Sequence, residues 1–280
     1  MKTYEKINDE PESWVINSEC EKYLPFTLDN SIDLVITSPP YNVDLGNNKF
    51  NKNPYDLYND NKKHKDYINW LKDIFKLIYK KVKPGGRVAI NIGDQKNGAV
   101  STHSDIIQFM VHELNYILMT TIVWDKHHVN SRTSWGSFCS PSSPSFPKPF
   151  EFILIFAKEN KKLQEEGETD LTKEEFTKWA FGLWSVAPEG NAKKIGHPAP
   201  FSVEIPFRLI KMLSWKDSLV VDPFCGSGTT GVAAMQLGRK FVGMDISKKY
   251  CEITKSRIEA AIPVDIFEKE NKTKLINIKE

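Results

Sequence analysis

The amino-acid sequence predicts an α/β fold with a mostly parallel sheet flanked by helices. Apolar, β-branched runs of strand length alternate with amphipathic segments of ten or more residues, a pattern typical of βαβ units. The runs at 31–37, 87–92 and 218–222 are each bordered by turn-forming residues. A chain of 280 residues can build one large sheet, and we predict a single domain over 1–280.

The elements follow one another in a regular order. Strands are predicted at 31–37, 87–92, 117–124, 152–157, 218–222 and 240–244, and helices at 66–82, 105–114, 202–213, 228–237 and 247–261. The helix that begins near Asp66 has apolar residues at helical spacing and stops at the Pro-Gly-Gly turn at 84–86. Ser202 is a candidate N-cap for the helix at 202–213, and Gly238 closes the helix at 228–237.

Two segments interrupt this alternation. Residues 42–66 are rich in Asn, Lys and Asp, and residues 125–200 mix Ser, Pro and Trp with a charged helical piece. Inserted segments of α/β enzymes usually carry substrate contacts. We therefore expect 125–200 to be an inserted recognition region, and 42–66 to be either a substrate-facing loop or a solvated loop without a special role.

Composition excludes several classes of protein. No apolar stretch approaches the ~20 residues of a membrane span, and the N-terminus has no apolar signal core. The four cysteines are scattered without a CxxC pair, which predicts reduced thiols in a cytoplasm and no metal site. The formal net charge of +2 neither requires nor excludes a nucleic-acid partner.

A glycine-rich turn follows the strand at 218–222. Gly226, Gly228 and Gly231 satisfy G-x-G-x-x-G, and Asp245 ends the next strand, where a carboxylate can bind ribose hydroxyls. The spacing suits a dinucleotide, an adenosyl ligand, or simply a tight turn that needs glycine. Asp222, just before the turn, would repel a pyrophosphate and attract the ammonium group of S-adenosylmethionine, so the adenosyl ligand is favoured.

A second motif, Ser38-Pro39-Pro40-Tyr41, follows the strand at 31–37. The Ser38 hydroxyl and the Pro39 carbonyl can accept the two hydrogens of an exocyclic amino group, and Tyr41 offers a face for stacking a base. Such bonds would localise the nitrogen lone pair for attack on a methyl group. Because ligands bind outside the carboxyl ends of parallel strands, we expect this motif to lie beside the glycine turn. An ordinary turn is the alternative.

These residues resemble the amino-group DNA methyltransferases, whose hallmarks stand here as SPPY (38–41) and FCGSG (224–228). The order of the two motifs resembles the beta type, in which target recognition lies between them. The resemblance implies a Rossmann-like S-adenosylmethionine-dependent methyltransferase fold, double-stranded DNA as substrate, base flipping, and a cognate restriction endonuclease as partner. It leaves the oligomeric state open between monomer and homodimer.

The resemblance also assigns site residues. Cofactor contacts are expected from Glu19, Asp222, Phe224, Gly226, Gly228, Asp245 and Pro198. The side chains whose chemistry suits DNA are Lys49, Lys52, Arg132, Ser134 and Trp135. The resemblance implies that the catalytic residues are those of the SPPY motif, Ser38, Pro39, Pro40 and Tyr41.

The target base follows from the same motif. In this family a serine before the two prolines favours cytosine N4 over adenine N6, and 133–158 is similar to the cytosine-N4 group. Carbon-5 methylation is disfavoured because no cysteine follows a proline. Two other classes stay open: a nicotinamide-dependent oxidoreductase, which would leave SPPY unexplained, and a DNA-binding protein without catalysis.

Overall fold

The computed structural model describes residues 4–8, 11–42, 62–95, 99–126, 136–146, 148–190 and 201–261. The strands are β1 (Tyr4–Asn8), β2 (Ser13–Asn17), β3 (Ile32–Thr37), β4 (Val82–Ile92), β5 (Tyr116–Asp125), β6 (Phe150–Lys158), β7 (Leu183–Ser185), β8 (Leu219–Asp222) and β9 (Lys240–Asp245). The helices are α1 (Cys20–Tyr23), α2 (His64–Lys81), α3 (Thr102–His112), α4 (Lys173–Trp179), α5 (Glu204–Leu213), α6 (Thr229–Gln236) and α7 (Lys248–Glu259), with a 3-10 turn at Leu24–Phe26.

The described strands form one sheet in the order β1-β2-β9-β8-β3-β4-β6-β5-β7. Strands β2, β9, β8, β3 and β4 run parallel, whereas β6 is antiparallel to both β4 and β5. The carboxyl ends of the five parallel strands therefore lie at one edge of the sheet, together with the start of β6. The predicted fold class is confirmed.

Helices cover both faces of this sheet. One buried cluster joins α2 and α3 to the sheet and contains Val35, and the other joins α5, α6 and α7 to it and contains Leu34 and Ile36. Because successive side chains of β3 enter opposite cores, this strand is buried on both faces, as its continuous apolar run predicts. The residues that follow β3 thus leave from a firmly held strand end.

The largest difference between a predicted and an observed boundary is at β4. Strand β4 begins at Val82 instead of 87, so the Pro-Gly-Gly turn at 84–86 lies inside the strand, where Gly85 adopts a φ of +79°. Pairing between β3 and β4 shifts register at this point, which is how the irregular backbone is accommodated. Strands β1, β2 and β7 and helix α1 were not predicted, because three to five residues are too few for a clear periodic pattern.

The predicted insertion over 125–200 contains β6, which the sequence analysis also predicts as a strand. This strand pairs with β4 and β5 inside the sheet, and the segments 126–149 and 159–182 precede and follow it in the sequence. Their recognition role stays a prediction. Of the predicted loop 42–66, residues 43–61 lie outside the described residues, and α2 starts at His64.

No helix in the described part of the chain is long and apolar enough to cross a membrane. Among the described residues, no group of three or more His, Cys, Asp or Glu side chains is placed to hold a metal ion. All four cysteines are free thiols, and only Cys139 is exposed.

Candidate active site

The two sequence motifs meet at the carboxyl ends of neighbouring strands. Strands β3 and β8 pair in parallel, with Val35 opposite Val221. At their ends, the Thr37 hydroxyl donates a hydrogen bond of 2.7 Å to Oδ1 of Asp222. SPPY begins one residue after Thr37 and the glycine turn follows Asp222, so the expected juxtaposition of the two motifs is present.

Asp222 is the buried link between these motifs. Its side chain is 1% exposed, and Oδ2 accepts a 2.7 Å bond from Thr230 while Oδ1 also accepts from the Phe224 amide. Burial raises the pKa of Asp222 to about 6, against the effect of these hydrogen bonds. Because its oxygens face protein donors, any attraction between Asp222 and a ligand's ammonium group acts through space.

Asp245 holds the glycine turn from the neighbouring strand β9. Its Oδ2 accepts a 3.0 Å bond from the Gly226 amide, and its Oδ1 accepts a 2.8 Å bond from the Ser247 amide. Burial raises the pKa of Asp245 to about 6. A second carboxylate whose ionisation is disfavoured thus flanks the turn.

The glycine turn itself requires glycine at two positions. Gly226 and Gly228 have φ values of +50° and +78°, and a Cβ on Gly228 would lie 2.5 Å from Cγ2 of Thr254. Helix α7 supports the turn, since Thr254 donates to the Gly226 carbonyl at 2.8 Å and Arg257 to the Ser227 carbonyl at 2.6 Å. The turn therefore presents a fixed, close-approach backbone at the start of α6.

The other predicted cofactor residues lie around this turn. Glu19 follows β2, whose last residue Asn17 pairs with Asp245. The carboxylate of Glu19 contacts the Lys22 ammonium group at 3.0 Å. The Phe224 ring lies 5.5 Å from the Trp70 ring, centroid to centroid. Glu19 and Phe224 are thereby at the same sheet edge as Asp245, whereas Pro198 lies outside the described residues.

The SPPY motif is anchored at its prolines and its tyrosine. The Pro40 carbonyl accepts a 2.7 Å bond from the Tyr67 hydroxyl of α2. The Tyr41 ring lies over Gly93, where an added Cβ would be 3.2 Å from Cε2 of the ring. The Ser38 hydroxyl donates to the Tyr41 hydroxyl at 3.1 Å.

Three residues that the sequence analysis did not identify complete this arrangement. The Tyr41 hydroxyl donates to Oε2 of Glu151 at 2.8 Å and accepts from the Asn91 amide at 2.7 Å. Lys126 forms an ion pair with Oε1 of Glu151. Asn91 is close to the end of β4, so its position at a strand end was a usable signal. Lys126 directly follows β5 and carried the same signal, whereas Glu151 gave none, because the antiparallel direction of β6 brings the start of that strand to this edge.

The expected DNA contacts fall in segments next to the described fold. Lys49, Lys52, Arg132, Ser134 and Trp135 all lie outside the described residues. The flanks of 43–61 are described, and there the Asn42 side-chain amide exchanges two 2.8 Å hydrogen bonds with the backbone of Lys62. The chain therefore leaves and re-enters the described fold next to Tyr41.

The sheet order, with a glycine turn after β8 and the SPPY motif after β3 on one edge of the sheet, is that of a Rossmann-like methyltransferase fold. The structure of PvuII DNA methyltransferase (cytosine-N4-specific) is similar, with a TM-score of 0.69 and 22% identity over 89% of this chain and 86% of that chain. TTHA0409 of Thermus thermophilus, solved in complex with S-adenosyl-L-methionine, also has a TM-score of 0.69, with 24% identity over 89% and 94% of the two chains.

The chain belongs to the N6/N4 DNA methylase family, whose model matches residues 32–256. The type II methyltransferase M.MjaVI of Methanocaldococcus jannaschii is 36% identical over 197 residues, which cover 69% of this chain and 93% of M.MjaVI. The resemblance to amino-group DNA methyltransferases is thus confirmed. The methyltransferases of this family use S-adenosylmethionine as their cofactor.

Proposed function

We propose that the protein is a site-specific DNA methyltransferase that transfers a methyl group from S-adenosylmethionine to the exocyclic N4 amino group of cytosine in duplex DNA. One observation carries the proposal: the Thr37–Asp222 hydrogen bond fixes the amino-accepting residue Ser38 beside the glycine turn. Methyl transfer needs an acceptor site and a donor site in contact, and these two strand ends are hydrogen-bonded neighbours.

The residues of the glycine turn fit the cofactor. Its backbone can approach a ligand closely because Gly226 and Gly228 lack side chains at positive φ. Burial raises the pKa of both Asp222 and Asp245 to about 6, so a cationic ligand at this edge is favoured by their ionised forms. When bound, S-adenosylmethionine supplies an electrophilic methyl group on a sulfonium centre.

The SPPY residues act on the acceptor. A cytosine amino group is paired inside the duplex, so the nucleotide must be flipped out before it can reach Ser38. The Ser38 hydroxyl and the Pro39 carbonyl then accept the two amino hydrogens, which draws the nitrogen toward a tetrahedral shape and frees its lone pair. The Tyr41 ring stacks on the base and holds it in the plane that this geometry requires.

Two observations support cytosine N4 as the methylated atom. The first is the serine at position 38, which is typical of the cytosine-N4 group that the sequence resembles. The second is the cytosine-N4 specificity of the PvuII enzyme among the structural neighbours. Adenine N6 is the rival within the same family.

The name of M.MjaVI, a type II methyltransferase, supports a place in a restriction-modification system. In such a system the enzyme protects a short DNA sequence from a cognate endonuclease. We accordingly propose a cytoplasmic enzyme with duplex DNA as its macromolecular substrate, and residues 126–149 and 159–182 as candidates for reading the sequence.

The experiment uses the purified protein, labelled S-adenosylmethionine and genomic DNA that has been amplified to remove existing methylation. The DNA is digested and its nucleosides are separated by mass spectrometry. We expect N4-methylcytosine as the product. Labelled N6-methyladenine would overturn the assignment of the base, and the absence of label from DNA would overturn the activity.

A further inference from the structure

A four-residue hydrogen-bond network lies beneath the SPPY motif, and it extends beyond the residues to which the proposed function assigns roles. Ser38 donates to the Tyr41 hydroxyl at 3.1 Å, and Tyr41 donates to Glu151 at 2.8 Å. Asn91 donates to the Tyr41 hydroxyl at 2.7 Å and to Glu151 at 2.8 Å. The Glu151 carboxylate is 12% exposed and pairs with Lys126 at its other oxygen.

We propose that Glu151 is a positioning residue that sets the direction of the hydrogen bonds at Ser38, so that the Ser38 hydroxyl presents lone pairs to an amino group. This inference rests on the proposed function, because it concerns how the same site selects an amino group. Glu151 acts through Tyr41 and does not itself touch the base.

The direction follows from which groups can donate. A serine hydroxyl has one hydrogen and can either donate or accept, as can a tyrosine hydroxyl. An ionised carboxylate can only accept, so Glu151 takes the single hydrogen of Tyr41. The Tyr41 oxygen is then left to accept, and it receives the hydrogen of Ser38. With its own hydrogen used, Ser38 has only lone pairs to offer a substrate.

Asn91 reinforces this direction. Its side chain is 3% exposed, and turning its amide would place Oδ1 against the Glu151 carboxylate, so the amide nitrogen must face Glu151 and Tyr41. Within the described part of the chain, Oδ1 of Asn91 has no hydrogen-bond partner. A buried unsatisfied acceptor is costly, and the hydrogen bonds that the amide nitrogen makes with Tyr41, Glu151 and, at 3.5 Å, the Ser38 hydroxyl oxygen offset this cost.

A Ser38 hydroxyl that can only accept distinguishes bases with an amino group at this position from bases with a carbonyl oxygen there. An exocyclic amino group donates hydrogens and matches a Ser38 that accepts. A carbonyl oxygen at the same place would meet a second acceptor and be repelled. The ion pair with Lys126 occupies Oε1 of Glu151, while Oε2 accepts the hydrogen of Tyr41.

The test compares Glu151→Gln with Glu151→Asp in the full-length protein. Three donors, from Tyr41, Asn91 and Lys126, converge on the Glu151 carboxylate, whereas a glutamine offers one oxygen and adds two hydrogens of its own. We expect Glu151→Gln to lower kcat for methyl transfer to unmethylated genomic DNA about tenfold or more. Aspartate keeps the carboxylate and should restore kcat to within about threefold of the wild type. The dissociation constant for S-adenosylmethionine should stay within about twofold in both variants.

Tyr41→Phe provides the second arm, because it keeps the stacking ring and removes only the hydroxyl that links Ser38 to Glu151. If Glu151 acts through this hydroxyl, adding Glu151→Gln to Tyr41→Phe should change kcat by less than about twofold. Glu113→Gln, which removes an exposed carboxylate paired with Lys72 at the end of α3, is the matched control and should leave kcat unchanged.

The outcomes separate the two proposals. A wild-type protein that methylates DNA, with Glu151→Gln at full kcat, overturns the role of Glu151 and leaves the methyltransferase assignment standing. If Glu151→Gln and Tyr41→Phe lower kcat independently, so that the double variant loses the product of the two factors, the role of Glu151 is also overturned. A wild-type protein that transfers no methyl group to DNA overturns the proposed function, and this inference falls with it. If Glu151→Gln does not fold, as judged by its thermal unfolding, Tyr41→Phe alone decides, and full kcat in that variant overturns the role of Glu151.

Discussion

The Thr37 hydroxyl donates a 2.7 Å hydrogen bond to the Asp222 carboxylate and so joins the last residue of β3 to the last residue of β8. The two residues are 185 positions apart in sequence. Thr37 precedes the SPPY motif and Asp222 precedes the glycine turn, so this bond fixes the distance between the two motifs.

Thr37→Val tests this link. Valine has nearly the same shape and removes only the hydroxyl, which leaves a fully buried carboxylate with one donor fewer. We expect the free energy of unfolding to fall by about 1–3 kcal/mol, measured by denaturant titration at neutral pH. Thr37→Ser keeps the hydroxyl and is the control. An equal loss in the serine variant would assign the effect to the lost methyl group.

The raised pKa values of Asp222 and Asp245 predict how cofactor binding depends on pH. Burial raises the pKa of both carboxyl groups from 3.8 to about 6. A group whose pKa is raised on folding stabilises the fold fully below its unfolded pKa, and this stabilisation is lost as the pH rises through the folded pKa. Both carboxylates are therefore costly when ionised near pH 7, and a cationic ligand offsets that cost.

The rise in Tm caused by saturating S-adenosylmethionine should accordingly be larger at about pH 7.5 than at about pH 5. Asp245→Asn should flatten this dependence, because it removes one of the two titrating groups. Asp73→Asn, an exposed position on α2, is the control and should follow the wild type. A ligand-induced shift in Tm that does not vary with pH in the wild type would contradict the prediction.

Gly228→Ala and Gly238→Ala separate backbone strain from steric conflict. Both glycines have positive φ, at +78° and +68°, but only at Gly228 would a Cβ meet another side chain, 2.5 Å from Thr254. We expect Gly238→Ala to cost about 1 kcal/mol of stability without changing cofactor affinity. Gly228→Ala should cost more and weaken S-adenosylmethionine binding at least about tenfold, by calorimetric titration. Equal effects of the two variants would count against a special role for the turn.

Ser38→Ala removes the proposed acceptor of the amino hydrogen. The expected result is a fall in kcat of about 100-fold with S-adenosylmethionine affinity near that of the wild type, since Ser38 follows β3 and the glycine turn proposed to bind the cofactor follows β8. Ser31→Ala, at the other end of β3, is the control for removing a serine hydroxyl. Loss of cofactor binding in Ser38→Ala would mean that the two motifs have been assigned the wrong roles.

The sequence by itself determined the order of the longer strands and helices and the two motifs at strand ends. Both are local properties: apolar periodicity marks an element, and turn residues mark where it stops. The turn conformation at Gly226 and Gly228 was predictable for the same reason, because positive φ and close backbone approach are requirements of single positions.

Only the tertiary structure decided how distant segments pair. Strand β6 was predicted as a strand, yet its antiparallel insertion between β4 and β5 brings Glu151 to within 2.8 Å of the Tyr41 hydroxyl, 110 positions away in sequence. Burial of the Asp222 carboxylate behind Thr37 was equally invisible in the sequence. The packing of whole elements decides which strands pair. Polar contacts between paired strands therefore cannot be predicted from a local sequence pattern.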